Sequence, residues 1–200
     1  FRTSWDLVSS DRAVQQARAA LPEWDRLGVE GRRPFLMRLR SAFESRTEEI
    51  AQAIAREVGK PLWEARGEAG ALAKKIDIMC GEGLEWTGTH RPEGMDNGHW
   101  RHRPLGVVAV LGPYNFPAHL PNGHIIPALI NGNTVVVKPS ELAGGVMQLY
   151  FECIEEADFP DGVVNLVHGP GEVGKTLSTH RGVNGVLFTG SWRTGQRIKQ

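Results

Sequence analysis

The chain has 200 residues, 40% of them apolar, and it carries 23 basic and 23 acidic side chains. This length and apolar content are typical of one sizeable domain with its own core. The charge balance argues against the broad basic surface that nucleic-acid binding requires, and no apolar run approaches the roughly 20 residues that span a bilayer. Cys80 and Cys153 lie far apart in the sequence, which suits a cytoplasmic protein and argues against a disulfide framework.

The first part of the chain, residues 1–87, is predicted to be helical. Residues 11–20 are rich in alanine, and residues 33–58 place large apolar side chains at helical spacing. A Gly-Lys-Pro sequence at 59–61 ends this second helix, because glycine favours the C-terminal cap and proline cannot continue a helix. A third helix is predicted over residues 62–86.

A connection rich in turn residues follows at 88–98, and residues 99–103 then alternate bulky and charged side chains. This alternation predicts a solvent-facing strand. We therefore assign residues 96–104 to an edge strand of the kind through which protein chains pair.

From residue 105 onward, strand, loop and helix patterns repeat. The predicted strands are 107–111, 134–137, 163–167 and 186–188, and the predicted helices are 119–131, 141–157 and 171–180. Apolar runs without alternation are typical of strands buried on both faces of a parallel sheet. Residues 105–200 are thus predicted to form the βαβαβ core of an α/β fold. In such a Rossmann-like, doubly wound sheet, ligands bind beyond the carboxyl ends of the strands.

Two loops at those strand ends carry unusual side chains. Residues 112–117 read GPYNFP, so proline and glycine hold the backbone around the Asn115 amide. Such an amide suits stabilisation of an oxyanion, although asparagine also simply tolerates turns. Residues 138–141 read KPSE, where Lys138 and Glu141 suit the vicinal hydroxyls of a ribose. A helix start with an acidic residue in its first turn would explain the same sequence.

The third loop, residues 189–195 with the sequence TGSWRTG, leads into a helix. Gly190 and Gly195 would let the backbone approach a phosphate at the helix N-terminus, which by itself does not establish a phosphate site. A competing motif, GPGEVGKT at 169–176, fits the P-loop pattern of nucleoside triphosphatases. The strand after it lacks the aspartate that helps to hold magnesium, which favours a solvated helix bearing Lys175.

The pattern of histidines does not predict a metal centre, and the pattern of cysteines does not predict a nucleophile. His119 and His124 are five residues apart and fall on different faces of a helix. That spacing favours helix-surface or substrate-side positions over metal ligation. Cys80 and Cys153 fall within helical patterns and are predicted to be buried core thiols.

In this order and spacing, the motifs PYNFP, KPSE and FTGS resemble those of the aldehyde dehydrogenase superfamily, and the resemblance extends over essentially the whole chain. It implies an NAD-dependent enzyme that oxidises a small-molecule aldehyde and assembles as a homo-oligomer, a dimer or tetramer. It also implies that Asn115 is the side-chain oxyanion donor, and that Glu141 at the ribose position favours NAD over NADP. The cofactor-binding residues that it implies are Pro113, Tyr114, Lys138, Ser140, Glu141, Gly171, Gly190, Ser191, Trp192, Arg193, Thr194 and Gly195.

The finer resemblance is to the N-succinylglutamate 5-semialdehyde dehydrogenases of arginine catabolism. Its marks are Tyr114 in place of the usual tryptophan, FPAHLPNGHI at 116–125 and EVGKPLWEA at 57–65. The family's nucleophilic cysteine and general-base glutamate would fall beyond Gln200, so the chain is predicted to be an incomplete, truncated NAD-binding domain without turnover of its own. Two alternatives stay open, a P-loop nucleotide-binding NTPase acting through 169–176 and a non-catalytic nucleotide-binding or assembly module.

Overall fold

The computed structural model describes residues 7–95 and 97–199. Its elements are α1 (Leu7–Arg26), α2 (Gly28–Ser45), α3 (Thr47–Val58), α4 (Leu62–Cys80), β1 (Thr89–His90), β2 (Trp100–Arg101), β3 (Val107–Leu111), α5 (His119–Ile130), β4 (Thr134–Lys138), α6 (Gly144–Glu156), β5 (Val164–Leu166), α7 (Gly171–Thr179), β6 (Gly185–Phe188) and α8 (Trp192–Lys199). Residues 82–84 and 141–143 form single 3-10 turns. Within the described ranges, no helix combines the length and apolar character needed to cross a membrane.

The centre of the fold is a four-stranded parallel sheet with the order β5-β4-β3-β6. Val107 of β3 pairs with Thr134 of β4, and Leu111 pairs with Lys138, so these two strands end at the same level. The direction of winding reverses between β3 and β6, and such a switch point opens a crevice at the carboxyl ends of the strands. The predicted α/β, doubly wound, Rossmann-like sheet is confirmed.

Helices cover both faces of the sheet, because alternate side chains of each strand point in opposite directions. Val108 and Val110 of β3 pack into a core formed with helices α2 to α6. Val107 and Ala109 face the other way and pack against α1 and α7. The strands β3 and β4 are buried along their whole length, which explains the apolar runs at 107–111 and 135–137 that show no alternation.

The prediction of a single helix over 33–58 was wrong, since two helices meet at Arg46. This residue leaves the helical region, with φ −108° and ψ 13°. Its guanidinium forms ion pairs with Glu152 and Glu156 of α6, and these long-range contacts hold the break in place. The predicted cap at Gly59 is confirmed by its left-handed backbone, with φ 75°.

The helices predicted over 62–86 and 141–157 are both shorter than expected. The helix α4 ends at Cys80, because Gly81 leaves the helical region with φ −107° and ψ −114°. In the helix predicted over 141–157, the first three residues form a 3-10 turn instead, and α6 begins at Gly144.

The strand predicted over 99–103 is reduced to the two residues of β2, which pair antiparallel with β1. The rings of His90 and Trp100 stack with their centroids 4.4 Å apart. These two strands form a small sheet of their own, separate from the central sheet. Residue 96 of the predicted edge segment and residues 1–6 of the predicted helical segment lie outside the described residues.

Candidate functional site

A cleft of about 1010 Å³ lies at the carboxyl ends of β3, β4 and β6. Its walls come from the loops that follow these strands and from α7. The predicted site residues that line it are Pro113, Tyr114, Asn115, Lys138, Ser140, Glu141, Gly171, Gly190, Ser191 and Thr194. A cavity of this size at the switch point of a doubly wound sheet suits a nucleotide-sized ligand.

The loop after β3, residues 112–118, presents Asn115. At its start, the backbone N–H of Gly112 donates to the carbonyl oxygen of Lys138 at 3.0 Å. A Cβ atom at Gly112 would lie only 2.7 Å from Cγ of Pro121, so glycine permits the close approach of the loop to α5. Asn115 is exposed, and within the described part of the chain its side chain has no hydrogen-bond partner. Its amide is therefore available to a ligand.

The loop after β4 joins a buried amine to an exposed carboxylate. Lys138 is 7% exposed, and its Nζ donates to Oε2 of Glu141 at 3.1 Å. The Ser140 hydroxyl accepts a hydrogen bond from the N–H of Leu142 at 3.3 Å and starts the 3-10 turn. A hydrogen bond from its own backbone N–H, aided by the Lys138 ammonium and opposed by burial, holds the pKa of Glu141 below its ordinary value. The carboxylate is thus ionised at neutral pH and able to accept hydrogen bonds from hydroxyls.

The loop after β6 caps α8. The Ser191 hydroxyl accepts from the N–H of Thr194 at 3.3 Å, and both residues line the cleft. Three predicted contacts, Trp192, Arg193 and Gly195, do not line it, and Trp192 is 80% exposed. For Trp192 and Arg193 the reason is helical phase, because they fall between Ser191 and Thr194, which are three residues apart and share a face of the helix. Gly195 has no side chain with which to reach the cleft.

The helix α7 forms a further wall, of which the sequence analysis predicted only Gly171. Gly171, Gly174, Lys175 and Ser178 line the cleft together, at the spacing of three and four residues that defines one helical face. Lys175, predicted on a solvated helix, is exposed and also borders the cleft. This helical spacing of small and polar residues was the signal in the sequence that could have predicted the wall. The other lining residues that were not predicted are Leu111, Gly112, Leu120, Glu172, Thr179, Phe188, Thr189, Arg197 and Ile198.

The P-loop motif at 169–176 does not form a phosphate-binding loop. Its residues from Gly171 onward belong to α7, so residues 171–174, which would have to form the phosphate loop, are helical. The Thr176 hydroxyl donates to the carbonyl oxygen of Glu172 at 3.0 Å. A P-loop instead wraps its backbone around the phosphates and directs this hydroxyl to magnesium. The local geometry therefore argues against the NTPase alternative.

The two histidines of α5 have separate surroundings. Nε2 of His124 lies 2.9 Å from the hydroxyl oxygen of Thr189 at the cleft. Burial, followed by the charge of Lys75, lowers the pKa of His124, so its ring is mainly neutral at pH 7. Nδ1 of His119 is buried and has no hydrogen-bond partner among the described residues. Within those same residues, no cluster of three or more potential metal ligands occurs.

Cys80 and Cys153 are buried core thiols, as predicted. Burial raises the pKa of both, to about 12 for Cys153. Neither residue lines the cleft, and neither thiol ionises at neutral pH. These two cysteines are therefore unsuited to act as nucleophiles.

The chain resembles known sequences over most of its length. The sequence profile of the aldehyde dehydrogenase family matches residues 6–200. The N-succinylglutamate 5-semialdehyde dehydrogenase of Burkholderia multivorans is 52% identical over 186 residues, which are 92% of this chain and 38% of that protein. The chain thus spans about two-fifths of the length of the curated relatives that it matches.

Solved structures share the fold. The NADP-dependent glyceraldehyde-3-phosphate dehydrogenase of Bacillus halodurans, complexed with NADP, matches with a TM-score of 0.89 at 32% identity, over 97% of this chain and 42% of that one. A mutant of aldehyde dehydrogenase C from Pseudomonas syringae, in complex with NAD+ and octanal, matches with a TM-score of 0.88 at 33% identity, over 97% and 40% of the two chains. Because these two structures hold different dinucleotides, the fold alone does not choose between them.

Proposed function

The chain belongs to the aldehyde dehydrogenase family, and from this premise we propose that it supplies the NAD-binding part of an enzyme that oxidises an aldehyde to a carboxylic acid. The observation that carries the proposal is the gathering of three loops, those after β3, β4 and β6, around one cleft. An amide donor, a paired lysine and glutamate, and a capped helix N-terminus meet there. These are the groups that an oxyanion, a ribose and a pyrophosphate require.

The cleft residues fit a dinucleotide. Ser191 and Thr194 place the N-terminus of α8 at the cleft, where its N–H groups and positive dipole suit a pyrophosphate. Lys175 and Arg197 add positive charge to the same walls. At Gly171 no heavy atom lies within 4 Å of the position that a Cβ would take, so the wall leaves room for a ligand.

We assign Lys138 and Glu141 to the adenosine ribose. The lysine donates and the ionised carboxylate accepts, so together they match two neighbouring hydroxyls. A 2′-phosphate in place of a hydroxyl would bring a second negative charge against Glu141. Two like charges about 4 Å apart repel by about 4 kcal/mol at the effective dielectric constant of a protein surface. This repulsion is the reason to propose NAD rather than NADP.

The loop after β3 is assigned to the reacting end of the site, with Pro113 and Tyr114 lining the cleft beside Asn115. A nicotinamide bound in the cleft would accept a hydride from the substrate carbon. Asn115 donates its amide N–H to the aldehyde oxygen as that oxygen becomes negative. Since Cys80 and Cys153 do not reach the cleft, we propose that the nucleophilic cysteine lies outside residues 1–200, and we propose the same for the general-base glutamate on the family resemblance alone. This segment alone is expected to show no turnover.

The name of the Burkholderia multivorans relative specifies N-succinylglutamate 5-semialdehyde, and we propose this substrate, in cytoplasmic arginine catabolism, for the present protein. We also propose that the described part of the 1–87 segment, residues 7–87, forms a helical support and that the hairpin of β1 and β2 contributes to a homo-oligomer. The cofactor core predicted over 105–200 is proposed for its described residues, 105–199. A rate comparison of succinylated and unsuccinylated semialdehydes in the full-length enzyme tests the substrate. Equal kcat/KM values for both would contradict it.

Exchange of Glu141 for threonine tests the cofactor assignment. In the full-length enzyme, Glu141→Thr removes the charge that repels a 2′-phosphate, so the NAD/NADP ratio of kcat/KM should fall about tenfold or more, which corresponds to about 1.4 kcal/mol. The matched control is Glu85→Thr, at an exposed position outside the cleft lining. An unchanged ratio in the Glu141 variant would remove the ribose role from this residue.

A further inference from the structure

A buried carboxylate outside the cleft, Glu68 on α4, connects a lysine to the start of α5. Its side chain is completely buried. Oε2 accepts a hydrogen bond from Nζ of Lys60 at 2.7 Å. Oε1 accepts from the backbone N–H groups of Ala118 at 3.0 Å and of His119 at 3.1 Å. Both carboxylate oxygens are therefore satisfied.

The N-terminus of α5 depends on this distant carboxylate. Ala118, which precedes the first helical residue, has no side-chain oxygen to cap the helix. Glu68 supplies the acceptor from another helix, where the dipole of α5 also favours its negative charge. Residues 112–118 end at this point, so Glu68 fixes the end of the loop that carries Asn115.

Lys60 contacts the same loop from a second direction. Its Nζ lies 3.8 Å from the centroid of the Phe116 ring, and Phe116 directly follows Asn115. The lysine side chain is 8% exposed, so the cation acts on the ring with little water around it. A buried ion pair adds little net stability, because its desolvation offsets its attraction. What Lys60 and Glu68 do supply is a fixed geometry for the loop.

We propose that Lys60 and Glu68 are positioning residues that hold Asn115 where it can donate to an oxyanion. This inference rests on the proposed role of Asn115. The hydrogen bond from Gly112 to Lys138 holds the start of the loop, and the buried pair holds its end. An oxyanion donor works only within hydrogen-bond distance of the developing charge, and a misplacement of about 1 Å costs about a hundredfold in rate.

A double-mutant cycle in the full-length enzyme tests the proposal. The variants are Asn115→Ala, Glu68→Gln and the two combined, and the measurement is the single-turnover rate of NADH formation at saturating NAD and aldehyde. Asn115→Ala should lower the rate about a hundredfold or more. Glu68→Gln should lower it about tenfold in the wild-type background, with the KM for NAD little changed, but less than about twofold in the Asn115→Ala background.

A second helix cap provides the matched control. Glu57 accepts from the N–H groups of Gly145 at 3.0 Å and Val146 at 2.9 Å at the start of α6. Both Glu57→Gln and Glu68→Gln should lower the melting temperature, yet Glu57→Gln should leave the single-turnover rate intact. If Glu68→Gln does not fold, Lys60→Met takes its place in the same cycle.

Two results would overturn the positioning role and leave the proposed function standing. One is an unchanged rate for Glu68→Gln in the wild-type background, and the other is an equal loss in both backgrounds. A normal rate for Asn115→Ala is a different failure, because it removes the oxyanion role itself and the positioning role with it.

Discussion

The close approach of Gly112 to α5 predicts a large effect from one added methyl group. In Gly112→Ala, the new Cβ would stand 2.7 Å from Cγ of Pro121, whereas ordinary contacts begin near 3.4 Å, so the two atoms have to separate by about 0.7 Å. Pro121 is buried in the first turn of α5, and its ring cannot rotate away. The loop backbone therefore has to move.

This movement affects stability and catalysis together. Overpacking of this kind costs about 1–3 kcal/mol, and it strains the hydrogen bond from the Gly112 N–H to Lys138. The shift also reaches Asn115, where a displacement approaching 1 Å lowers the rate about tenfold or more. We expect the full-length variant to melt at a lower temperature and to lose about tenfold in kcat, with a smaller change in the KM for the aldehyde.

Scanning calorimetry and initial rates of NADH formation measure the two effects. The control is Gly70→Ala in α4, because no heavy atom lies within 4 Å of its added Cβ. Alanine favours a helix over glycine by about 1 kcal/mol, so this control should keep its activity and melt no lower than the parent. A Gly112→Ala enzyme with the parent melting temperature and kcat would show that α5 moves to accommodate the methyl group and that the loop of Asn115 stays in place, contrary to this prediction.

Two further predictions concern the core. Tyr150 donates its hydroxyl to Oδ1 of Asn122 at 2.9 Å in a fully buried site, so Tyr150→Phe should lower the free energy of unfolding by about 1–3 kcal/mol in chemical denaturation. The exposed Tyr114 gives the control Tyr114→Phe, and equal stability of both variants would show that Asn122 finds another donor. Because burial raises the pKa of Cys153 to about 12, iodoacetamide at about pH 8 should label it only after denaturation. Mass spectrometry of the peptides checks this, and rapid labelling of the native enzyme would contradict it.

Local sequence was sufficient to predict the central sheet. A strand buried on both faces consists mainly of apolar side chains, so the run Val107–Leu111 is recognisable from its composition alone. The polar residues Lys138 and Asn115 stand where such runs end, and the carboxyl ends of parallel strands meet at one edge. Their convergence on one cleft therefore followed from the order of the elements.

Features that depend on partners distant in sequence could not be predicted in this way. The break at Arg46 is held by Glu152, more than a hundred residues further along the chain. The cap that Glu68 provides for Ala118 spans fifty residues. At the third loop, the resemblance implied contacts from all of residues 190–195, but helical phase directs Trp192 away from the cleft.

Lys138 serves the cleft through two chemically independent parts. Its ammonium pairs with Glu141, whereas its carbonyl oxygen accepts the N–H of Gly112 and so holds the loop of Asn115. The side chain can be exchanged without loss of the carbonyl, because every residue has one. Under the proposed assignment, substitutions at 138 and 141 would change which dinucleotide is preferred, while the Gly112–Lys138 backbone hydrogen bond would still hold the loop of Asn115. The proposed cofactor preference could then change without moving the proposed oxyanion donor.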